Sequence, residues 1–349
     1  MTFTGVTRRI KQLWPEHWRM AQHKNHQQFN NPLLSEDEIL DLRYRVEQDR
    51  ANTRHSHEVE HRTLGDVRSV YRGYGLDYDE SRPYFPGDEL RFMNWRVTAR
   101  TGEPHMKVFR EERKPAVFIV VDRRQSMCFG TRRRLKVTQA VRAAAITAFA
   151  ARQSNAPVAG LLLENIDNKN KNENDNNKPS AGLTWIAETN NESGVFNFIH
   201  AANKPCPPAA MSQNNTQSKK HAEESLLHII KLLTAMLPQG SSVVLISDFH
   251  DLEDNCRSSL LELSMTHQLQ AIHIIDPVEE KLPECGSLLL QSEGRGLSAV
   301  NSSDKKINAE YQAAAANYLL SKQELFLSLG ISCQAFKTND ESIVTVSGL

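Results

Sequence analysis

The sequence predicts an α/β fold: a doubly wound, mostly parallel sheet with helices on both faces, preceded by a smaller N-terminal helix and a β/loop region. Three almost continuously apolar segments, 116–122, 243–248 and 271–276, each end in an aspartate. Such runs, separated by stretches of helical periodicity, are typical of central strands that are buried on both faces. The carboxyl ends of parallel strands meet at one rim, where open α/β sheets bind their ligands.

The N-terminal part of the chain predicts one helix and a connector. Ser35 and Glu38 match a capping box in front of an apolar run, which predicts a helix from about 36 to 49. Residues 48–61 are dense in Arg, His and Glu and contain almost nothing apolar, which is typical of a solvated connector. We therefore assign residues 1–60 to an N-terminal helical region and connector.

Residues 61–113 form the predicted β/loop region, in which aromatic residues, Gly and Pro are interleaved with many charges. Aromatic residues among arginines usually pack as hydrogen-bonded loops with guanidinium stacking. Pro86-Gly87-Asp88 indicates a turn, and residues 104–112 indicate a strand.

Residues 114–349 form the predicted α/β domain, in which helical and strand-like segments alternate. The helix at 134–153 and the strand at 157–163 complete a βαβ unit, which is expected to be right-handed. The remaining predicted elements are a strand at 182–188, helices at 223–237, 260–267 and 305–329, and strands at 287–291 and 331–336. Flexible inserts are predicted at 165–180, which is rich in Asn, and at 203–221, which is rich in Pro, Asn, Gln and Ser.

Composition narrows the function classes. The 349 residues carry 42 basic and 42 acidic side chains, so no overall charge draws the chain to nucleic acid. The basic edge made by Arg123, Arg124 and residues 132–134 is expected to be solvated. Five widely spaced cysteines without a C-x-x-C pair predict reduced thiols, and no segment is apolar enough for a signal peptide or transmembrane helix. We expect a cytoplasmic protein.

The chemistry of the rim leaves two interpretations open. A strand-end Asp with hydroxyls at +2 and +4, and an Asp from a later strand, would form an octahedral Mg²⁺ site. Asp122, Ser126 and Asp248 fit this pattern as metal ligands, but the +2 position is Arg124. A guanidinium at that position can pair with Asp122 through two hydrogen bonds and take the place of the cation.

No phosphate-binding loop, dinucleotide-binding turn, nucleophile elbow or zinc-protease motif occurs in the sequence. The enzyme alternative is therefore limited to a Mg²⁺-dependent hydrolase or phosphotransferase that uses the strand-end aspartates Asp122 and Asp248 together with Asp251.

One stretch resembles a known family. The motifs that carry the resemblance are Arg68-Ser69, Gly73-Tyr74-Gly75, Asp79, Arg82-Pro83-Tyr84, Pro86-Gly87-Asp88, Arg91, Asn94-Trp95, Ala99-Arg100, Lys107-Val108-Phe109 and Glu111-Glu112-Arg113. In this order they resemble the signature of the bacterial domain of unknown function 58 family. Ser247-Asp248-Phe249, Asp276-Pro277 with Glu279, and Leu282-Pro283 with Gly286 extend the resemblance, which covers roughly residues 60 to 340.

That family is similar to von Willebrand factor A domains, and the resemblance implies a von Willebrand factor A-like fold. It implies that Asp122, Ser126 and Asp248 lie at the metal-ion-dependent adhesion site. Arg124 departs from the adhesion motif, which needs a serine there, and Asn94 stands where many members have Asp. The adhesion site is therefore expected to be degenerate.

Relatives often occur beside MoxR-type AAA+ ATPases, so the resemblance implies an adaptor whose protein partner is such an ATPase or its client. We expect a non-enzymatic interaction protein that docks through the sheet rim and the 73–100 loop region. A buried network is predicted to shape this surface, or only to hold the loop together; its members are Arg82, Tyr84, Asp88, Arg91, Trp95, Arg96, Arg100 and Arg124. Under either interpretation we expect Trp95 to be a core residue, so that Trp95→Ala costs about 3–5 kcal/mol.

Overall fold

A computed structural model describes residues 10–12, 31–56, 72–73, 77–110, 115–164, 182–206, 225–292 and 296–342. The chain divides into two compact units: Met1–His55 with Ala116–Leu349, and Ser56–Pro115. None of the described helices is both long enough and apolar enough to cross a membrane.

The described strands form three sheets. In chain order they are β1 (Ile10–Gln12), β2 (Arg72–Gly73), β3 (Asp77–Pro83), β4 (His105–Arg110), β5 (Val117–Asp122), β6 (Val158–Leu163), β7 (Leu183–Thr189), β8 (Ser242–Ser247), β9 (Gln268–Ile275), β10 (Ser287–Ser292), β11 (Gly296–Asn301) and β12 (Ser332–Lys337). The larger unit contains the six-stranded sheet, in the order β12-β9-β8-β5-β6-β7, and the antiparallel sheet β1-β10-β11.

The six-stranded sheet is parallel except for β7, which pairs antiparallel with β6. Strands β5 to β7 extend to one side and β8, β9 and β12 to the other, so the strand order reverses between β5 and β8. This reversal is the position at which open α/β sheets form a ligand crevice. The predicted fold class, a mostly parallel α/β sheet with helices, is confirmed.

The described helices alternate with these strands. They are α1 (Glu36–Ser56), α2 (Trp95–Thr101), α3 (Lys136–Gln153), α4 (Glu192–Ala202), α5 (Leu226–Met236), α6 (Arg257–Thr266), α7 (Pro277–Glu280) and α8 (Lys305–Ser328). Short 3-10 turns occur at Leu90–Phe92, Gln125–Met127 and Asp254–Cys256.

The core of the larger unit lies on both faces of the six-stranded sheet. Because strand side chains alternate, Val117, Ile119 and Val121 face one cluster and Phe118 and Val120 face the other. Helices α1, α3 and α4 contribute to the first cluster, and α5, α6 and α8 contribute to the second. The helices therefore cover both faces, as the apolar strands predicted.

Two sequence features explain how closely the helices approach the sheet. Helix α3 is rich in alanine, which favours helix and permits close packing, and most of its alanines are buried. Gly160 lies in β6 beneath the ring of Phe198, where an added Cβ would be 2.4 Å from that ring. A side chain at this position would push α4 away from the sheet.

Helix α1 belongs to the larger unit, unlike the separate N-terminal region predicted at 1–60. Ile39 and Leu42 lie in the same buried cluster as α3 and α4. Ser35 caps the helix as predicted, since its hydroxyl accepts from the Glu38 backbone N–H at 3.2 Å. The Glu38 carboxylate instead pairs with Arg142 of α3, which joins α1 to the core.

The smaller unit is built on the antiparallel sheet β2-β4-β3 and helix α2. Asn94 caps α2, because its side chain accepts from the Val97 N–H and donates to Ser81 at 2.7 Å. Within the described part of this unit whose side-chain burial is defined, only Asn94 and Met106 are buried. This unit exposes most of its described side chains.

The two predicted inserts fall largely outside the described residues, which omit 165–181 and 207–224. Residues 203–206, at the start of the second, are described, and Asn203 and Cys206 among them are buried. Asn203 is buried, accepts from the Leu34 N–H at 2.6 Å and donates to the Leu34 carbonyl at 2.9 Å.

Candidate functional site

The candidate site is the rim at the carboxyl ends of β5, β8 and β9, which are neighbouring strands. Asp122 ends β5, Asp248 follows β8 and Asp276 follows β9. All three side chains are nearly inaccessible to solvent. Burying carboxylates is costly unless each is paired or hydrogen-bonded, so their partners determine what the rim can do.

Asp122 is fully occupied by donors from its own unit. Its Oδ1 accepts from the backbone N–H and the Nε of Arg124, both at 3.0 Å. Its Oδ2 accepts from Arg124 Nη2 at 2.7 Å and from the Ser247 hydroxyl at 2.6 Å. An ionised carboxylate offers about four lone-pair positions, and these four donors use them. The bidentate pair expected between Arg124 and Asp122 is present.

Arg124 also binds a second carboxylate. Its Nη1 and Nη2 donate to Asp251 at 2.6 and 3.0 Å, and its side chain is only 2% exposed. Burial lowers the pKa of Arg124, but Asp122 and Asp251 outweigh this effect and raise the pKa above its ordinary value. One guanidinium thus neutralises two carboxylates, and Asp251 also accepts from the Leu226 N–H at the start of α5.

Asp248 is paired with a second internal cation, Lys136, at the first position of α3. The Lys136 Nζ lies 2.7 Å from Asp248 Oδ2 and 2.8 Å from Glu279 Oε1. Burial lowers the pKa of Lys136, yet the two carboxylates raise it above its ordinary value. The pKa of Asp248 is raised by burial but is held well below its usual range by Lys136 and His250.

The pKa values of two histidines beside Asp248 are shifted in opposite directions. The Nδ1 of His250 lies 2.9 Å from Asp248 Oδ1, and although burial lowers the pKa of His250, Asp248 raises it above its ordinary value. The ring of His273 is buried, with Nε2 3.1 Å from the Asp248 carbonyl, and burial lowers the pKa of His273 to about 4. His250 therefore favours the charged form and His273 the neutral form.

Asp276 has a structural role, as strand-end aspartates often do. It caps α7 in a capping box with Glu279 and accepts from the Thr131 N–H at 2.9 Å and the Thr338 hydroxyl at 2.9 Å. These contacts tie the segment after β12 and the loop before α3 to the end of β9.

The loop after Asp248 holds a strained residue. Phe249 has a φ of 50°, which is rare for a bulky side chain. Its ring is buried against Phe326 and His273, at centroid distances of 4.9 and 5.5 Å. Its N–H donates to the Ser247 hydroxyl at 3.0 Å. This packing holds the strained turn and directs Asp248 and His250 toward each other.

The predicted metal ligands do not fit a divalent cation. Asp122 has no free lone-pair position, and Asp248 Oδ2 lies against the Lys136 ammonium. A divalent ion would meet two positive charges where it needs anionic oxygen. Within the described residues, no group of three His, Cys, Asp or Glu side chains is placed to hold a metal.

Ser126 is the third predicted ligand. Its hydroxyl is buried and has no hydrogen-bond partner in the described part of the chain.

The residues predicted as one buried network are not all buried. In the smaller unit, Arg82 donates to Asp88 at 2.7 and 2.6 Å, and the Phe85 N–H donates to Asp88 at 2.9 Å. The hydrogen bond from Arg82, followed by that from Phe85, lowers the pKa of Asp88. Tyr84 is half-buried.

The expectation that Trp95 is core is wrong, because 68% of its surface is exposed. Arg91, which pairs with Glu89, and the helix residues Arg96 and Arg100 are exposed as well. Trp95 starts a short helix in which no residue is buried. Phe85 and Leu90 are also exposed, at 60% and 61%.

Sequence reasoning missed Lys136 and Glu279 as rim residues. The sequence contained a signal for Lys136. A cation in the first turn of a helix is unfavourable beside the positive end of the helix dipole, so its presence there predicts an anionic partner. Glu279 was noted only as part of the family motif, and its contact with Lys136 depends on how β9 and α3 are placed.

One comparison with known proteins identifies the family, and none of them gives an activity. The sequence profile of the family described as "Protein of unknown function DUF58" matches residues 80–319. The chain is 29% identical over 253 residues to "Uncharacterized protein Mb1516" of Mycobacterium bovis and to "Uncharacterized protein Rv1480" of Mycobacterium tuberculosis, covering 72% of this chain and 71% of each relative.

A solved structure, "conserved hypothetical protein BatB from Bacteroides thetaiotaomicron", aligns with a TM-score of 0.34 and 13% identity over 64% of this chain and 91% of that one.

Proposed function

Since the chain belongs to the family described as "Protein of unknown function DUF58", whose name states no activity, we propose from its own geometry that it is a non-enzymatic interaction protein. Its α/β unit is a von Willebrand factor A-like domain in which Arg124 and Lys136 replace the adhesion-site metal. It acts in the cytoplasm as an adaptor for a MoxR-type AAA+ ATPase and its protein clients.

The observation that carries the proposal is the exposed face of the smaller unit. Phe85, Leu90 and Trp95 are each at least 60% exposed, and Arg96 and Arg100 are exposed on the helix that Trp95 begins. Trp and Arg are enriched among the residues that dominate binding energy at protein interfaces. Arginines around an exposed Trp favour a partner with an acidic surface.

The rim supports a non-enzymatic role. Metal-assisted hydrolysis needs carboxylate oxygens that are free to bind a cation and a water. Here the oxygens of Asp122 are saturated and Asp248 is held by Lys136 and His250. The charges of the rim are satisfied by the protein itself, so the rim maintains the fold of the unit.

Direct binding tests the adaptor role. Purified protein is titrated with a purified MoxR-type ATPase from the same organism, and the Kd is compared for wild type, Trp95→Ala and Arg96→Glu. We expect at least tenfold weaker binding for each variant, on the order of 1.4 kcal/mol or more. Tyr44→Ala, which alters an aromatic residue that is 59% exposed on the other unit, is the matched control.

If Trp95→Ala binds like wild type, the exposed face is not the docking surface. If no complex forms with the ATPase, that partner is wrong.

The alternative of a Mg²⁺-dependent hydrolase or phosphotransferase has one observation in its favour: the buried Ser126 hydroxyl has no hydrogen-bond partner among the described residues. Calorimetric titration with Mg²⁺ and Mn²⁺ separates the two functions. We expect no binding by wild type or Asp122→Ala, and binding by Arg124→Ser, which restores a hydroxyl and removes the guanidinium. Cation binding by wild type that Asp122→Ala abolishes would favour the enzyme.

A further inference from the structure

Two cysteines from distant parts of the chain meet beside the rim. Cys128 follows the 3-10 turn Gln125–Met127, and Cys206 lies after helix α4. The Cys128 Sγ is 3.9 Å from the Arg124 carbonyl oxygen, and the Cys206 Sγ is 3.5 Å from the Arg123 carbonyl oxygen. The carbonyls of two consecutive rim residues, Arg123 and Arg124, thus hold the two sulfur atoms beside the same short segment.

Arg123 fixes the segment that brings Cys206 to the rim. Its side chain is 3% exposed, and its Nη2 donates to the carbonyls of Lys204 and Pro205 at 2.5 and 3.4 Å. Its Nη1 donates to Glu164 at 2.6 Å and to the Ala201 carbonyl at 3.4 Å. A buried cation therefore holds the backbone directly before Cys206.

The environment separates the two thiols of the pair, because the contact with Cys206 and burial raise the pKa of Cys128. The hydrogen bond from Cys128 lowers the pKa of Cys206, and Arg123 lowers it further against the opposing effect of burial. Cys128 is partly exposed, which gives a small oxidant access. Cys256 and Cys333 lie in buried surroundings that raise their pKa, and Cys285 is exposed.

We propose that Cys128 and Cys206 form a redox modification site, at which a hydroperoxide converts the two thiols into an intramolecular disulfide. A thiolate of the pair attacks the peroxide, so that an S–O bond forms, the O–O bond breaks and water leaves with the proton. The second thiol attacks the sulfenic sulfur, an S–S bond forms, and a second water leaves. Two thiols lose two electrons and one hydrogen peroxide is reduced to two waters.

The disulfide would tie the turn that carries Ser126 to the end of α4. Intracellular disulfides of this kind are usually transient and redox-sensing. The inference does not depend on the exposed face of the smaller unit, so it stands or falls separately from the adaptor role.

The test uses the full-length reduced protein and hydrogen peroxide. We expect two of the five thiols to disappear, the intact mass to fall by two hydrogens, and a non-reducing peptide map to link Cys128 to Cys206. The melting temperature should rise on oxidation and return with dithiothreitol, because the crosslink restricts the unfolded chain. Cys206→Ser should lose the mass change and the melting shift, whereas Cys285→Ser should keep both.

Five intact thiols after peroxide treatment, or a link that involves Cys285, would overturn the proposal. The peptide map of wild type decides the question even if Cys206→Ser does not fold. Sulfinic acid on Cys128 without a crosslink would also overturn it, because the second thiol would then not have reached the first.

Discussion

Two bidentate Arg–Asp pairs, one in each unit, have nearly the same geometry and opposite surroundings. Arg124 donates to Asp122 at 3.0 and 2.7 Å, and Arg82 donates to Asp88 at 2.7 and 2.6 Å. The first pair has side chains that are 2% and 0% exposed, and the second has side chains that are 40% and 19% exposed.

Burial decides what each pair contributes. Water screens the Arg82 pair, so breaking it changes stability little. In the Arg124 pair, removing one partner leaves a charge that water cannot reach. The comparison shows that hydrogen-bond distances alone do not tell a structural ion pair from a surface one, and that a motif rich in Arg and Asp can serve either purpose.

The largest expected effect comes from removing the buried guanidinium. Arg124→Met should lower the free energy of unfolding by about 3–5 kcal/mol, because Asp122 and Asp251 both lose their cation inside the protein. Urea unfolding at pH 7 measures the loss.

Arg82→Met is the matched control and should lie close to wild type. If the two variants lost equal free energy of unfolding, solvent exposure would not explain the difference between the two ion pairs, and the comparison would be wrong.

A second prediction concerns acid, which should affect the buried rim through His273. Its pKa is about 4 in the folded protein and 6.5 when unfolded, so the unfolded chain binds the proton more tightly. The stability that neutral His273 provides is complete above pH 6.5 and is lost as the pH falls through 6.5 toward 4. The full loss is about 3 kcal/mol.

Urea unfolding measured from pH 7 to 4.5 should show this decline. His273→Gln, which keeps a donor for the Asp248 carbonyl, should flatten it. His250, whose folded pKa is raised, contributes stability that grows as the pH falls from 7 through 6.5, because the unfolded chain is still taking up its proton there. This slope opposes the His273 decline near pH 6.5 and vanishes once both states are protonated. An unchanged slope in His273→Gln would assign the acid sensitivity to another group.

The smallest effect is expected at Trp95. Trp95→Ala should change the free energy of unfolding by no more than about 0.5 kcal/mol, because the ring is already exposed. Phe326→Ala, which removes a fully buried ring, is the contrasting variant and should cost about 3–5 kcal/mol. Thermal unfolding of both variants checks the prediction. A large loss for Trp95→Ala would restore its role as a core residue.

The sequence allowed the central sheet to be predicted because its strands are short apolar runs that end in Asp. It also allowed the Arg124–Asp122 pair to be predicted, because residues two apart at a strand end are neighbours in any such fold. Lys136 and Glu279 were not found, since 143 residues separate them and their contact depends on tertiary placement. The burial of Trp95 was predicted wrongly because residue type was weighed without counting the apolar neighbours that a buried ring needs.

The four donors on Asp122 make the stability of the rim independent of the concentration of metal ions in the cell. A metal stabilises its protein by an amount that depends on its free concentration, so such a site weakens when the ion is scarce. Arg124 is covalently part of the chain, so its positive charge is present at any ion concentration. The rim is therefore expected to keep its charge balance during magnesium starvation and in the presence of chelators.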